Sequence, residues 1–125
     1  MTENELSYQI IGAALEVHRN LGAGLLESTY ESALSYELKK LGFNVKQQIY
    51  LPLQYKEINI ENAYKIDLLV EDKVIIEIKS VIEMHSVFSA QLLTYLKLTN
   101  LKLGLLINFN TQLIKDGIHR IVNKL

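Results

Sequence analysis

The stretch Tyr64–Ser80, Y-K-I-D-L-L-V-E-D-K-V-I-I-E-I-K-S, decides how the rest of the chain is read. Two runs rich in β-branched residues, Ile66–Val70 and Val74–Ile78, flank Glu71-Asp72-Lys73, the pattern of a β-hairpin with a short loop. With Val70 paired to Val74, Asp67 falls directly opposite Glu77. Side chains alternate faces along a strand, so Tyr64, Ile66, Leu68, Val70, Val74, Ile76 and Ile78 are predicted to form one apolar face packed on a core. Lys65, Asp67, Glu77 and Lys79 fall on the other face together with Leu69 and Ile75, which predicts a charged surface that is half covered. No Asn-Gly pair fixes the turn, and a one-residue slip would exchange the faces.

Before this hairpin, Leu6, Ile10, Ala13, Ala14 and Val17 recur at helical spacing and predict a helix from about Glu3 to Asn20, with Ile11 and Leu15 widening its apolar side. Leu21-Gly22-Ala23-Gly24 breaks it, Gly22 being suited to a left-handed closing position. A second helix is predicted from Leu25 to Leu41, with Leu26, Tyr30, Ala33, Leu34, Leu38 and Leu41 as its stripe and Gly42 as its end. At about 100° per residue Glu27 projects within that stripe, and so does Glu37. Phe43–Tyr55 reads as a strand with Ile49, Leu51, Leu53 and Tyr55 on one face; Pro52 marks it as an edge or a bulge. A polar segment, Lys56–Asn62, leads into the hairpin.

After the hairpin come a connection, Ser80–His85, and a helix, Ser86–Thr99, on which Phe88, Gln91, Tyr95 and Leu98 share a face. Leu103–Phe109 is an apolar run suited to a strand covered on both sides. The tail around Asp116-Gly117 reads as a turn and one more short strand. The order ααβββαβ, with that extra strand, gives an α/β class with a mixed sheet.

With 125 residues the chain is expected to form one domain, 1–125, and 49% hydrophobic with 22% charged residues suits a globular protein. A net charge of −1 excludes a global basic field of the kind that holds a polyanion, although a local patch remains compatible with it. The absence of cysteine excludes disulfides, thiolate catalysis and sulfur-ligated zinc. The acidic start, M-T-E-N-E-L-S, is unlike a signal peptide, and no apolar run approaches the roughly 18 residues of a membrane span. A cytoplasmic location and no membrane partner are expected.

Two carboxylates brought close together in space offer hard oxygen ligands to Mg²⁺ or Mn²⁺, the carbonyl of Ile78 could add another, and a metal there would lower the pKa of a bound water. Lys79, one pleat beyond Glu77, is placed to hold that water or to stabilise charge on a phosphate. The ordinary alternative is a cross-strand salt bridge from Lys79 or Lys65 to the two acids, and spacing alone favours it. Glu27 is either a further ligand or a solvated helix residue. Gln91 either orients a phosphate or carboxylate or satisfies backbone groups under its helix. Tyr30 and Tyr95 fit core aromatics with a bonded hydroxyl. His18, His85 and His119 show no metal-ligand spacing. Lys115, His119, Arg120 and Lys124 make a weakly basic tail able to touch phosphate or simply to sit in solvent.

Gly24-Leu25-Leu26-Glu27-Ser28-Thr29-Tyr30 resembles the motif after which the GxxExxY protein family is named. Tyr64–Val70, Ile76–Lys79, Gln91–Leu96, Gly104–Phe109 and the closing Asp116-Gly117-Ile118 with Arg120-Ile121-Val122 resemble its other blocks, in order, over about Ile10–Val122. Ala23 departs from the proline that the family usually carries between the two glycines.

That family is placed in the PD-(D/E)XK nuclease superfamily. The resemblance implies a restriction-endonuclease-like αβββαβ core with an extra N-terminal helix. It also implies a hydrolase that cleaves phosphodiester bonds with Mg²⁺ or Mn²⁺, on DNA before RNA. It assigns Asp67, Glu77 and Lys79 to the D…ExK site, Glu27 to the acid of the first core helix, and Gln91 with Tyr95 to the following helix's motif. On this reading the metal ligands are Asp67, Glu77, Ile78 and Glu27. Tyr95, Lys65 and Arg120 would meet the nucleic acid, and a second copy of the chain would help embrace a duplex. The alternative is a non-catalytic module that binds nucleic acid or protein.

Overall fold

A computed structural model describes residues 1–125. Helix α1, Glu3–Leu21, starts at a Thr2 cap whose side chain and Glu5 exchange hydrogen bonds in a capping box. It buries Leu6, Ile10, Ala13, Ala14 and Val17 as the spacing predicts, but Leu15 is exposed, so a single side of α1 is covered. Gly22 closes it at φ 71 and ψ −167, outside the left-handed helical well and in a region that glycine alone occupies cheaply.

Helix α2 spans Glu27–Lys40, shorter at both ends than the spacing predicts. Leu26 is extended, and the Tyr30 hydroxyl holds the preceding loop by donating to Gly22 O (2.6 Å) and accepting from Leu25 N–H (3.1 Å). Leu26 and Leu41 therefore face solvent, and the buried stripe is Tyr30, Glu31, Leu34, Ser35 and Leu38.

Five strands form one sheet in sequence order: β1 (Val45–Tyr55), β2 (Ile58–Val70), β3 (Val74–Lys79), β4 (Leu103–Asn108) and β5 (Ile118–Val122). Only β3 and β4 run parallel, joined by α3 (Ser86–Thr99), so the sheet is mixed as predicted. The last strand is present, entered through a 3₁₀ turn at Ile114–Gly117. Strand β1 is an edge strand, and its register shifts between Leu51 and Leu53, around Pro52. Most of the polar segment Lys56–Asn62 is strand rather than connection. Beyond the shift, β1 and β2 form a projecting ribbon with most side chains in water, so polarity there does not oppose pairing.

Helices α1 and α2 cover one face of the sheet and α3 the other. On the α3 side Gly104 is required, because a Cβ there would lie 2.8 Å from Leu92. No helix is long and apolar enough to cross a membrane.

Candidate active site

The β2–β3 hairpin turns through Glu71 and Asp72, both at positive φ, with Lys73 N–H bonded to Val70 O. Two non-glycine residues in that region need outside support. Asn44 exchanges hydrogen bonds with Glu71, and Lys46 pairs with Asp72 at 2.8 Å. The pairing is Val70↔Val74, Leu69↔Ile75 and Leu68↔Ile76, the predicted register, which places Asp67 opposite Glu77 one step further on.

At that step the ladder stops. Ile78 N–H donates to Asp67 Oδ2 at 2.9 Å, so a carboxylate occupies the place of a backbone acceptor. On the other side of β2, Gln48 is unpaired between Gln47↔Leu68 and Ile49↔Ile66 and has φ 51. The strand also changes face here: Leu68 and Val70 pack under α1 and α2, whereas Ile66 and Tyr64 pack with α3. This corrects the uniform alternation predicted for Tyr64–Val70, and the change of face coincides with the loss of ladder pairing on both sides of Asp67.

Glu77 lies under α3 with 6% of its surface exposed, and its Oε1 has no hydrogen-bond partner. Burial first, and then the charge of Asp67, push its carboxyl up to about 9, against a smaller opposing pull from Lys79. The Lys79 ammonium sits 4.4 Å from the centroid of the Phe88 ring. Neither Lys79 nor Lys65 pairs with either acid. The ion pairs of the chain are Arg19–Glu16 and Lys46–Asp72, so the salt-bridge alternative is not what forms.

The other predicted residues divide. Glu27, exposed in the first turn of α2, accepts from Ser80 N–H at 3.3 Å, which ties it to the residue after Lys79. Tyr95 stacks against Tyr64 with ring centroids 4.9 Å apart, and burial followed by the Glu77 charge raises its hydroxyl pKa. Gln91 is exposed and donates to the Tyr95 hydroxyl at 2.9 Å, so it does not lie under its helix; Leu98 is exposed too, and Leu92 and Leu96 are buried instead. The Ile78 side chain is in the core, and its amide serves Asp67. Lys65 reaches over the Tyr50 ring, 5.9 Å from its centroid. Arg120, on the far edge strand, bonds to Asn4 and is not gathered with the acids.

Three residues escaped the sequence reading: Gln48, which donates to Asp67 Oδ1 at 3.3 Å, Glu31 and Asn108. Glu31 is buried on α2, with its carboxylate accepting from Gln47 and from Gln48. Burial raises its pKa most, partly offset by those two bonds and reinforced by Asp67. The wheel that drew attention to Glu27 also carries Glu31 on the same face, one turn later. Asn108, buried at the end of β4, accepts from Val81 and Asn110 N–H and donates to Val81 O, fixing the connection after Lys79. A lone amide in an apolar strand was its signal.

A family model of the PD-(D/E)XK nuclease superfamily matches residues 4–121, nearly the whole chain. The chain belongs to the PD-(D/E)XK nuclease superfamily. No curated protein and no solved structure matches it. PD-(D/E)XK nucleases generally use divalent metals and act on nucleic acid. Asp67 and Glu77 suit such an ion: both donors are hard oxygens, and Glu77 Oε1 is buried without a partner, a costly arrangement unless something else binds there. No group of three acidic or histidine side chains converges to hold a metal in this PD-(D/E)XK domain.

Proposed function

We propose that the chain is a metal-dependent nuclease of the GxxExxY type, with DNA as its substrate. The observation that carries this reading is the buried, unpartnered Glu77 Oε1 beside Asp67, at the point where the hairpin ladder gives way. Asp67 and Glu77, with the Ile78 carbonyl, are the groups that would hold Mg²⁺ or Mn²⁺. Such an ion supplies Lewis-acid polarisation of a phosphoryl oxygen and a lowered pKa for the attacking water.

The chain's own residues do the rest. Ile78 N–H holds and orients the Asp67 carboxylate by donating to it. Lys79, free of any carboxylate partner, orients the water and meets charge developing on the phosphate. Glu27 fixes the backbone just after Lys79 and is the further acid of the site. Gln91 holds the Tyr95 hydroxyl at the α3 edge, where it and Lys65 would contact the nucleic-acid backbone. A second copy of the chain would complete the grip on a duplex, which sedimentation with and without DNA measures.

Mn²⁺ calorimetry on the native protein and on Asp67→Asn/Glu77→Gln, followed by a cleavage screen of DNA and RNA, tests this reading. Binding lost in the variant and metal-dependent cleavage by the native protein support it. A folded native protein that takes up no Mn²⁺ even with DNA present refutes it. That outcome favours a binding module, the reading to which the convergence of only two acids would otherwise lend itself.

A further inference from the structure

Glu31 is 8% exposed, inside the apolar stripe of α2, yet it is an acid without a cation partner. A buried carboxylate with no counter-charge costs stability, and an apolar side chain would serve packing better. What Glu31 does have is two glutamines. Gln47 donates to Oε2 at 3.3 Å and in turn accepts from Ser35, while Gln48 donates to Oε1. The Gln48 amide also donates to Asp67 Oδ1 at 3.3 Å.

This bridge depends on backbone strain at Gln48. Its φ of 51 is unfavourable for a residue with a side chain, and it is unpaired at the position opposite Asp67. The register is the same on either side of Gln48, so the left-handed backbone at this one residue re-aims its side chain without inserting an extra residue. An amide carries two N–H bonds, so a single glutamine can serve two carboxylates at once. A lysine would neutralise them, and an acid would repel both. With Gln48 on Oδ1 and Ile78 N–H on Oδ2, the Asp67 carboxylate is gripped from both ends.

We propose that Glu31 is a positioning residue that orients Asp67 through Gln48. The proposal deepens the reading above, in which Asp67 holds the ion. Glu31 touches neither ion nor substrate. It fixes the amide that fixes the ligand, the arrangement by which groups behind metal ligands tune affinity.

The test compares the native protein with Glu31→Leu, Gln48→Ala and the double variant, in two ways. Mn²⁺ affinity by calorimetry is expected to fall about 10- to 100-fold in each single variant and no further in the double. In the metal-free protein, the carbon resonance of the Asp67 carboxyl is expected to move in Glu31→Leu and to be insensitive to that substitution once Gln48 is alanine. A merely structural Glu31 would alter the melting temperature and leave both readouts as in the native protein, which overturns the proposal. So does a shift of the Asp67 signal that survives undiminished in the Gln48→Ala background. If the native protein binds no Mn²⁺, the nuclease reading fails separately and the carboxyl resonance still decides this one by the same criterion. If Glu31→Leu does not fold, Gln48→Ala alters an exposed side chain and carries both measurements: a loss of affinity with a moved Asp67 signal supports the bridge, and no change in either overturns it.

Discussion

On the face of the sheet covered by α1 and α2, 18 buried side chains form one apolar cluster, whereas the cluster under α3 has five. In the large cluster every member is at most 5% exposed, and Tyr30 stacks on Phe109 with ring centroids 4.5 Å apart. The small one is open at the end where Asp67, Glu77, Lys79 and Tyr95 gather. A buried acid such as Glu77 is a liability to folding, and the larger face supplies the burial that offsets it. Apolar burial is thus unequal on the two sides of the sheet, and on the proposed reading the chemistry lies at the end of the smaller one, where α2 reaches it through Glu27 and Glu31.

The sharpest way to break this contrast is at the acids. Asp67→Ala is expected to lower metal-dependent cleavage by about a thousandfold or more, the equivalent of several kcal/mol of transition-state stabilisation, with a melting temperature close to native. A steady-state cleavage assay beside a thermal melt measures both. Next in size, Leu34→Ala in the large cluster should cost about 3–4 kcal/mol in urea unfolding and Leu92→Ala in the small one about 2 kcal/mol, because the open side can collapse around a cavity. Equal losses would mean that the two faces carry stability alike.

A third prediction concerns pH. The folded state keeps a proton on Glu77 up to about 9, while the unfolded chain releases it near 4.5. Stability of the metal-free protein should therefore be fullest below the lower value and fall as pH rises towards the upper, by up to about 1.4 kcal/mol per pH unit. Denaturation across that range checks it, and Glu77→Gln should flatten the slope. The smallest effect is expected at Tyr30→Phe, which leaves Gly22 O and Leu25 N–H without the hydroxyl that joins them, at about 1–2 kcal/mol. Cleavage per folded molecule should be nearly native if this tyrosine serves the larger cluster alone.

Much of the fold was legible because its determinants are local. The β2–β3 register follows from counting outwards from Glu71-Asp72-Lys73, and α3 has the predicted bounds because His85 and Asn100 flank a single periodic run. Where the reading failed, distant residues had intervened. Leu25 and Leu26 have good helical propensity, yet the Tyr30 hydroxyl ties Leu25 N–H into the loop and Leu26 stays extended ahead of α2. Lys56–Asn62 looked like a connection because a ribbon in water need not alternate in polarity.

The site shows the same split. Asp67, Glu77 and Lys79 could be placed together from sequence because period-two alternation and one turn bring them to one place. Glu31, Gln48 and Asn108 could not, since each acts on a partner from another element, 17 to 27 positions away. Sequence by itself determined the class, the order of elements and the acid pair, all set by short-range periodicity and turn chemistry. Only the tertiary structure decided that the ladder breaks at Asp67, that Glu77 is buried with a bare oxygen, and that an amide links two carboxylates. Those depend on burial and on contacts between β1, β2, β3 and α2, which no local pattern encodes.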